Sequence, residues 1–246
     1  MGSILWGEDI AFAYDTTYAA KFDPAVLGPI VDLLAELSDG GPALELAVGT
    51  GRVALPLRER GIEVHGIELS PHMVEQLRKK SGAEALTVVV GDMTSAKGPA
   101  AGEYALVYLV ANTIMNVTTQ DEQTAVFRNS FEQLRPGGRF VVEVIVPQLR
   151  RVPPSETARV FTLEPEHVGI ETFDDVVGQI AWSHHWMAVD GRLVHHSAPY
   201  RYVWPSELDL MAELAGLRLE HRWSDWNRAP FTADSASQVA VFERAG

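Results

Sequence analysis

The spacing of apolar residues changes along the chain. Between residues 8 and 37 they recur at helical intervals, most clearly in "VLGPIVDLLAEL", and Asp23-Pro24 supplies a helix start within that stretch. Asp39-Gly40-Gly41-Pro42 interrupts the pattern. From Ala43 onward, short apolar runs alternate with amphipathic ones. "ALELAV" is followed by a helix through Leu57, "VHGIEL" by a helix with Ser70 as N-cap and Pro71 at its first position, and then come "ALTVVV" and "YALVYLV". Near-continuous apolar runs of this kind predict parallel strands buried on both faces. Thr119 and Glu122 form a capping box for a helix burying Phe127, Phe131 and Leu134; "RPGGR" ends it, and "FVVEVIV" is a fifth strand.

Beyond residue 150 the period shortens to two. Residues 158–203 carry short alternating segments with turn signals, and Asp190-Gly191 between "HHWMAV" and "RLVHHS" predicts a two-residue hairpin. That turn places His185 opposite His196 and Trp186 opposite His195. Because neighbours on a strand point to opposite faces, one face carries His185, Met187, Val194 and His196, and the other Trp182, His184, Trp186, Leu193 and His195. A helix over about 206–215, stopped by Gly216, and the strands "LRLEHRW" and "SQVAVFER" finish the chain. The pattern predicts an α/β fold, a doubly wound, mostly parallel sheet with an antiparallel β insertion acting as a lid. Residues 1–41 would form a helical cap, 42–149 and 205–246 the cofactor-binding domain, and 150–204 the insertion.

Composition narrows the partners. Of 246 residues, 46% are apolar and 22% charged, which fits a globular protein, and no apolar run reaches the roughly 20 residues that span a bilayer. "MGSILWGEDI" lacks the features of a secretory signal, and Trp6 occupies the place where a myristoylation motif needs Ser or Thr, so a cytoplasmic location is expected. No cysteine is present, which removes disulfides, thiolate nucleophiles and Cys-held zinc. Acids outnumber bases 33 to 20, for a formal charge of −13. Such a balance argues against a nucleic-acid partner and for a small-molecule substrate. No membrane partner and no metal are expected.

The candidate chemistry lies in "ALELAVGTGRVALPL". Gly49, Gly51 and Ala54 satisfy Gly-x-Gly-x-x-Gly/Ala, and Glu68 ends the next strand, as in dinucleotide-binding domains. Glu45 speaks against a dinucleotide, because a carboxylate near the carboxyl end of the first strand would repel a pyrophosphate and attract an ammonium group. S-adenosylmethionine suits that charge pattern. It has no phosphate and carries an amino-acid end, a sulfonium and an adenosine. The backbone at Ala47–Gly51 would approach its amino-acid end, Glu68 its ribose hydroxyls, and Asp92 and Met93 its adenine.

"LELAVGTGR", "GIELSPHM", "VVVGDM" and "LRPGGRFVVEV", in this order and spacing, resemble the successive motifs of class I S-adenosylmethionine-dependent methyltransferases. The resemblance covers residues 42–146. It implies a seven-stranded sheet whose last strand is antiparallel, S-adenosylhomocysteine as product, and further cofactor contacts from Thr50, Arg52, Leu69, Met73, Val110 and Asn112. "FAYDTTY" and "NTIMN" are similar to segments of the small-molecule enzymes of secondary metabolism, including those that methylate amines of nucleotide-linked sugars. In that group an N-terminal helix closes over the cofactor, which implies cofactor contacts from Tyr14 and Tyr18, and dimers form through the insertion, so a homodimer is a further expectation. The chain departs from the amino-sugar enzymes in carrying Asn116 where they place a histidine, and asparagine is not a useful base at neutral pH.

Methyl transfer needs little covalent help from a protein, so acceptor residues are sought at the rim. Asn112 and Asn116 are polar positioners, and His184 or His195 is a candidate base. Trp182 and Trp186 would wall a pocket for an aromatic or heteroaromatic acceptor, indole-like or phenolic, receiving the methyl on N, O or ring carbon. The same tryptophans equally suit plain packing of the sheet. Tyr18 and Arg228 are further substrate candidates. Glu143, well inside the fifth strand, reads as a carboxylate holding the sheet end or as a substrate contact. Two rival functions stay open, an NAD(P)-dependent oxidoreductase and a non-catalytic metabolite-binding module on the same fold.

Overall fold

A computed structural model describes residues 7–149, 152–153, 155–189 and 191–246. Trp6 and Asp190, which enter the expectations above, lie outside the described residues. The N-terminal helical stretch is two helices, α1 (Glu8–Thr17) and α2 (Pro24–Ser38), joined by a 3-10 turn over Ala19–Phe22. Asp23 starts α2 by accepting a hydrogen bond from the Ala25 N–H at 2.8 Å, with Pro24 at the first helical position.

Alternation then runs β1 (Ala43–Leu46), α3 (Ala54–Glu59), β2 (Val64–Glu68), α4 (Pro71–Arg78), β3 (Thr87–Val90), β4 (Tyr104–Leu109), α5 (Gln120–Gln133) and β5 (Leu134–Ile145). The insertion supplies β6 (Ala158–Glu164), β7 (His167–Asp175), β8 (Ile180–Val189) and β9 (Arg192–Arg201). The chain finishes with α6 (Pro205–Ala215), β10 (Leu217–Trp223) and β11 (Ser237–Arg244). The seven-stranded sheet has the order β3-β2-β1-β4-β5-β11-β10, with β11 antiparallel to both neighbours and the β3-to-β5 pairings parallel. Strand order reverses between β1 and β4, which opens a crevice outside their carboxyl ends.

Both faces of this sheet are covered. Under α5 and α6, Phe127 meets Phe140 and Phe242 edge-on, with ring centroids 5.1 and 5.6 Å apart. On the opposite face, Leu34 of α2 and Leu57 of α3 pack against Tyr108, Val141 and Val241. All six residues of β4 are buried, as its apolar run predicts. β3 departs from that expectation: it is the edge strand, and Val90 is more than half exposed. α5 ends at Gln133, so Leu134 is buried from β5 and not from the helix. Pro136-Gly137-Gly138 lies within β5 as an irregularity, Gly137 taking φ +75° where the register against β4 shifts.

Strands β6 to β9 form a separate antiparallel sheet in sequence order. Val189 pairs with Arg192, His185 with His196 and Trp186 with His195, the register that a two-residue turn dictates. Its root is planted in the main core through Ala181, and Tyr202 and Val203 continue that contact. The outer halves of β8 and β9 are half-buried or exposed on both faces. Among the described residues, no helix is long and apolar enough to cross a membrane.

Candidate active site

A cleft of about 440 Å³ opens at the carboxyl ends of β1 to β4, within the size range of small-molecule sites. Ala47 and Gly49 reach it from the turn after β1, Glu68 and Leu69 from the end of β2, and Met73 from α4. Asp92 and Met93 follow β3, and Asn116 lies in the loop after β4. Tyr14 of α1 and Pro199 of β9 bring the two ends of the fold to the same opening.

The strand ends are held in unusual backbone conformations. Ala47, Ala111 and Asn112 have φ of 55°, 58° and 64°, each costing on the order of 1–3 kcal/mol outside glycine, and they follow β1 and β4, the two central strands. Gly51, at φ +82°, could not carry a side chain without pressing on Leu55 and Leu77 at 3.1–3.2 Å. Glu68 ties the cradle together. One carboxylate oxygen accepts from the Gly49 N–H at 2.8 Å and the other from the Ser70 N–H at 2.9 Å. Burial raises its pKa, and these backbone donors offset part of that rise. Asp92 similarly accepts from the Thr94 N–H at 2.8 Å.

Several expected contacts take other positions. Glu45 is buried beneath the turn and does not line the cleft; the Tyr108 hydroxyl donates to it at 3.0 Å. Burial pushes its pKa up to about 8, with Arg52 opposing, so it is chiefly protonated at neutral pH rather than an open carboxylate. Asn112 accepts from the Ile145 N–H and Glu143 from the Ala111 N–H, both at 2.7 Å, so both hold the sheet end and neither lines the cleft. Val110 is buried away from it. Tyr18 packs on Tyr14, ring centroids 4.8 Å apart, with only Tyr14 reaching the cleft.

Thr50 and Arg52 are covered by the N-terminal segment: the Thr50 hydroxyl donates to Asp15 at 2.6 Å and Arg52 to the Lys21 carbonyl at 3.4 Å. Lys21 was not marked by any sequence motif. Burial, then the neighbouring Arg52, lowers its pKa, while Glu143 opposes the shift.

The insertion's aromatic and histidine residues do not line the cleft. They form a ladder in which Trp182, His184 and His195 stack nearly parallel, and Trp186 lies 4.6 Å from His195. Both nitrogens of His184 are engaged within the sheet, one with the Thr172 hydroxyl at 3.2 Å and the other with that of Ser197 at 2.7 Å. His195 also bonds Ser197, at 2.8 Å. Arg228 is removed from the site altogether, ion-paired with Glu36 and set over the Trp223 ring.

Sequence reasoning missed Thr118, Thr119, Glu122 and Pro199 as lining residues. Of the predicted capping box the N-cap half forms, the Thr119 hydroxyl accepting from the Glu122 N–H at 3.2 Å, while the Glu122 carboxylate accepts from that hydroxyl at 2.6 Å. The available signal was position, since that box follows directly on the loop after β4, at the ligand-binding edge of the sheet. With Glu122 included, the charged side chains lining the cleft are all carboxylates, Glu68, Asp92 and Glu122.

Residues 43–138 match the family model described as a methyltransferase domain. The chain is 34% identical to the CcbJ methyltransferase from Streptomyces caelestis, with 98% of each chain covered and a TM-score of 0.86. It is 26% identical to the cypemycin N-terminal methyltransferase of a Streptomyces species, over 94% of this chain and 97% of that one. An amino pentose methyltransferase from Micromonospora echinaspora, solved with S-adenosylmethionine bound, shares the fold at 16% identity and a TM-score of 0.72, over 94% and 96% of the two chains.

Proposed function

Because the chain belongs to the class I S-adenosylmethionine-dependent methyltransferases of secondary-metabolism type, we propose that it methylates the nitrogen of a small, amine-bearing natural-product molecule. Membership replaces the two rival functions, the dinucleotide oxidoreductase and the non-catalytic module. The cleft suits the cofactor. Glu68 would take the ribose hydroxyls, and Asp92 and Met93 the adenine. When bound, S-adenosylmethionine supplies an electrophilic methyl carbon on a sulfonium.

The observation that carries the choice of acceptor is the carboxylate lining. Methylating a neutral amine places positive charge on the acceptor nitrogen, and a carboxylate aimed at developing positive charge favours that outcome. A phenolate would bring negative charge into a cleft that already holds Glu68, Asp92 and Glu122. Asn116, Thr118 and Thr119 supply neutral hydrogen-bonding groups to orient the acceptor. Such positioning supplies on the order of 7–11 kcal/mol of a displacement barrier. The relationship to the cypemycin enzyme, an N-terminal methyltransferase, supports the same atom.

A second reading concerns the acceptor's body. Trp182 pairs across the strands with Pro199, so the aromatic ladder continues the sheet face that reaches the cleft. An amine attached to a flat aromatic group would use both. The test is turnover with S-adenosylmethionine against matched amines, phenols and indoles, with Glu122→Gln alongside. Amines should turn over, and the variant should raise their KM about tenfold with cofactor Kd unchanged, the size expected for losing one charge-assisted hydrogen bond. Turnover of phenols without amines would overturn the assignment.

A further inference from the structure

Asp15 lies at the meeting of three elements. One carboxylate oxygen accepts the Thr50 hydroxyl at 2.6 Å, and the other is ion-paired with the Lys80 ammonium. Thr50 lies between the two left-handed glycines of the turn after β1, and it is 1% exposed because the N-terminal segment covers it. Lys80 follows α4, the helix that starts beside Glu68. The Lys80 ammonium also sits over the Phe22 ring at 5.1 Å, so it touches both α1 and the 3-10 turn after it. Asp15 is the neighbour of Tyr14, the α1 residue in the cleft wall.

We propose that Asp15 is a positioning residue that latches α1 to the glycine turn through Thr50 and to α4 through Lys80, and so sets how tightly the cofactor is held. The inference rests on the cofactor assignment above, while the bonds it uses are made within the chain itself. The turn, the cap and α4 each contribute one wall of the same cleft. A carboxylate joined to all three fixes their spacing, and with it the placement of Tyr14. The two bonds have different character. The Thr50 bond is made against a buried hydroxyl, whereas Asp15 and Lys80 are 39% and 27% exposed in their side chains, and their ion pair is open to screening by salt.

The test compares Asp15→Ala, Asp15→Asn and Lys80→Ala with wild type and with Asp9→Ala, an exposed acid on the same helix. Two readouts are taken. The first is S-adenosylhomocysteine affinity and dissociation rate. The second is the rate of tryptic cleavage at Lys21 without ligand. Asp15→Ala should weaken binding about tenfold through faster dissociation and speed cleavage several-fold. Asp15→Asn, which keeps an acceptor for Thr50, should recover most of the affinity, and Lys80→Ala should weaken binding two- to fourfold. Asp9→Ala should match wild type, and the thermal transition should change little throughout. Binding by Asp15→Ala within twofold of wild type would overturn the latch, as would unchanged cleavage. If wild type itself bound no S-adenosylhomocysteine, the cofactor assignment would fall, while faster cleavage of Asp15→Ala would still establish the contact between cap and turn.

Discussion

The two sheets of this molecule use their side chains differently. In the seven-stranded sheet, β4 buries all six of its residues, and the polar chemistry is confined to the strand ends, where Glu68, Asp92 and the strained Ala47 face one cleft. In the four-stranded sheet, the outer halves of β8 and β9 are half-buried or exposed on both faces, and each face carries histidines, His185 and His196 on one and His184 and His195 on the other. The first sheet encloses its ligand by topology. The second presents a surface whose only described link to the cleft wall is Pro199. On the proposed reading, cofactor binding would belong to the first sheet, and acceptor selection to the margin where the two meet, at Glu122 and Pro199.

The largest expected effect tests the first half of that division. Glu68→Ala removes a carboxylate that bonds two backbone amides and, on the proposed reading, would take the ribose hydroxyls. Bonds to a charged acceptor contribute about 1.5–3 kcal/mol each, so S-adenosylmethionine affinity should fall on the order of 100-fold. Calorimetric titration measures this directly. Affinity equal to wild type would remove Glu68 from the cofactor site.

Glu45 gives a pH signature peculiar to the buried sheet. Its carboxyl titrates near 8 in the folded chain, against an ordinary 4.5, chiefly because it is buried. Between these values the folded form holds a proton that the unfolded form lacks. Its contribution to stability is therefore complete below about pH 4.5 and is lost as pH rises through about 8. The melting temperature of cofactor-free wild type should fall relative to Glu45→Gln across that window, by on the order of 10 °C. Parallel melting profiles for the two proteins would show that Glu45 is ionised in the fold.

These two residues also show what could be read from the chain and what could not. Strand identities, the Ser70 cap and the register of the β8–β9 hairpin follow from local rules, because periodicity and turn chemistry act over a few residues. The acid at the end of β2 was readable for the same reason, since topology places that position at the crevice. Glu45 was expected beside the ligand but lies deeper, under the turn, because Tyr108 arrives from β4 to meet it. Asn112 and Glu143 look like active-site polar groups but bond backbone amides, a choice set by the left-handed bend after β4. Asp15 and Lys21 carried no motif, and their roles come only from tertiary contact.

Gln238 sharpens the contrast from inside the main sheet. It pairs with Val144, is fully buried, and neither its amide oxygen nor its nitrogen has a hydrogen-bond partner among the described residues. An unpaired buried amide costs about 1–3 kcal/mol, whereas an apolar group of the same shape does not. Gln238→Met should therefore stabilise the protein by roughly that amount in urea denaturation. A loss of stability would mean that the amide is satisfied in solution, by water, for example.

The smallest effect is expected in the insertion. The Trp186 ring stacks on His195 at 4.6 Å and leans toward His184 at 6.1 Å, but it is only half-buried and does not reach the cleft. A cross-strand aromatic pair contributes about 0.2–1 kcal/mol, so Trp186→Ala should lower stability by no more than about 1 kcal/mol. Cofactor affinity should stay within twofold of wild type, because no residue of the ladder touches the glycine turn or Glu68. The KM of an amine with an aromatic body should rise several-fold, and that of a compact amine should not. That difference is the informative quantity. If both amines respond equally, the ladder supports the sheet and reads nothing of the acceptor. If cofactor affinity falls with them, the two sheets are coupled through Pro199, and the division between cofactor binding and acceptor selection fails at that residue.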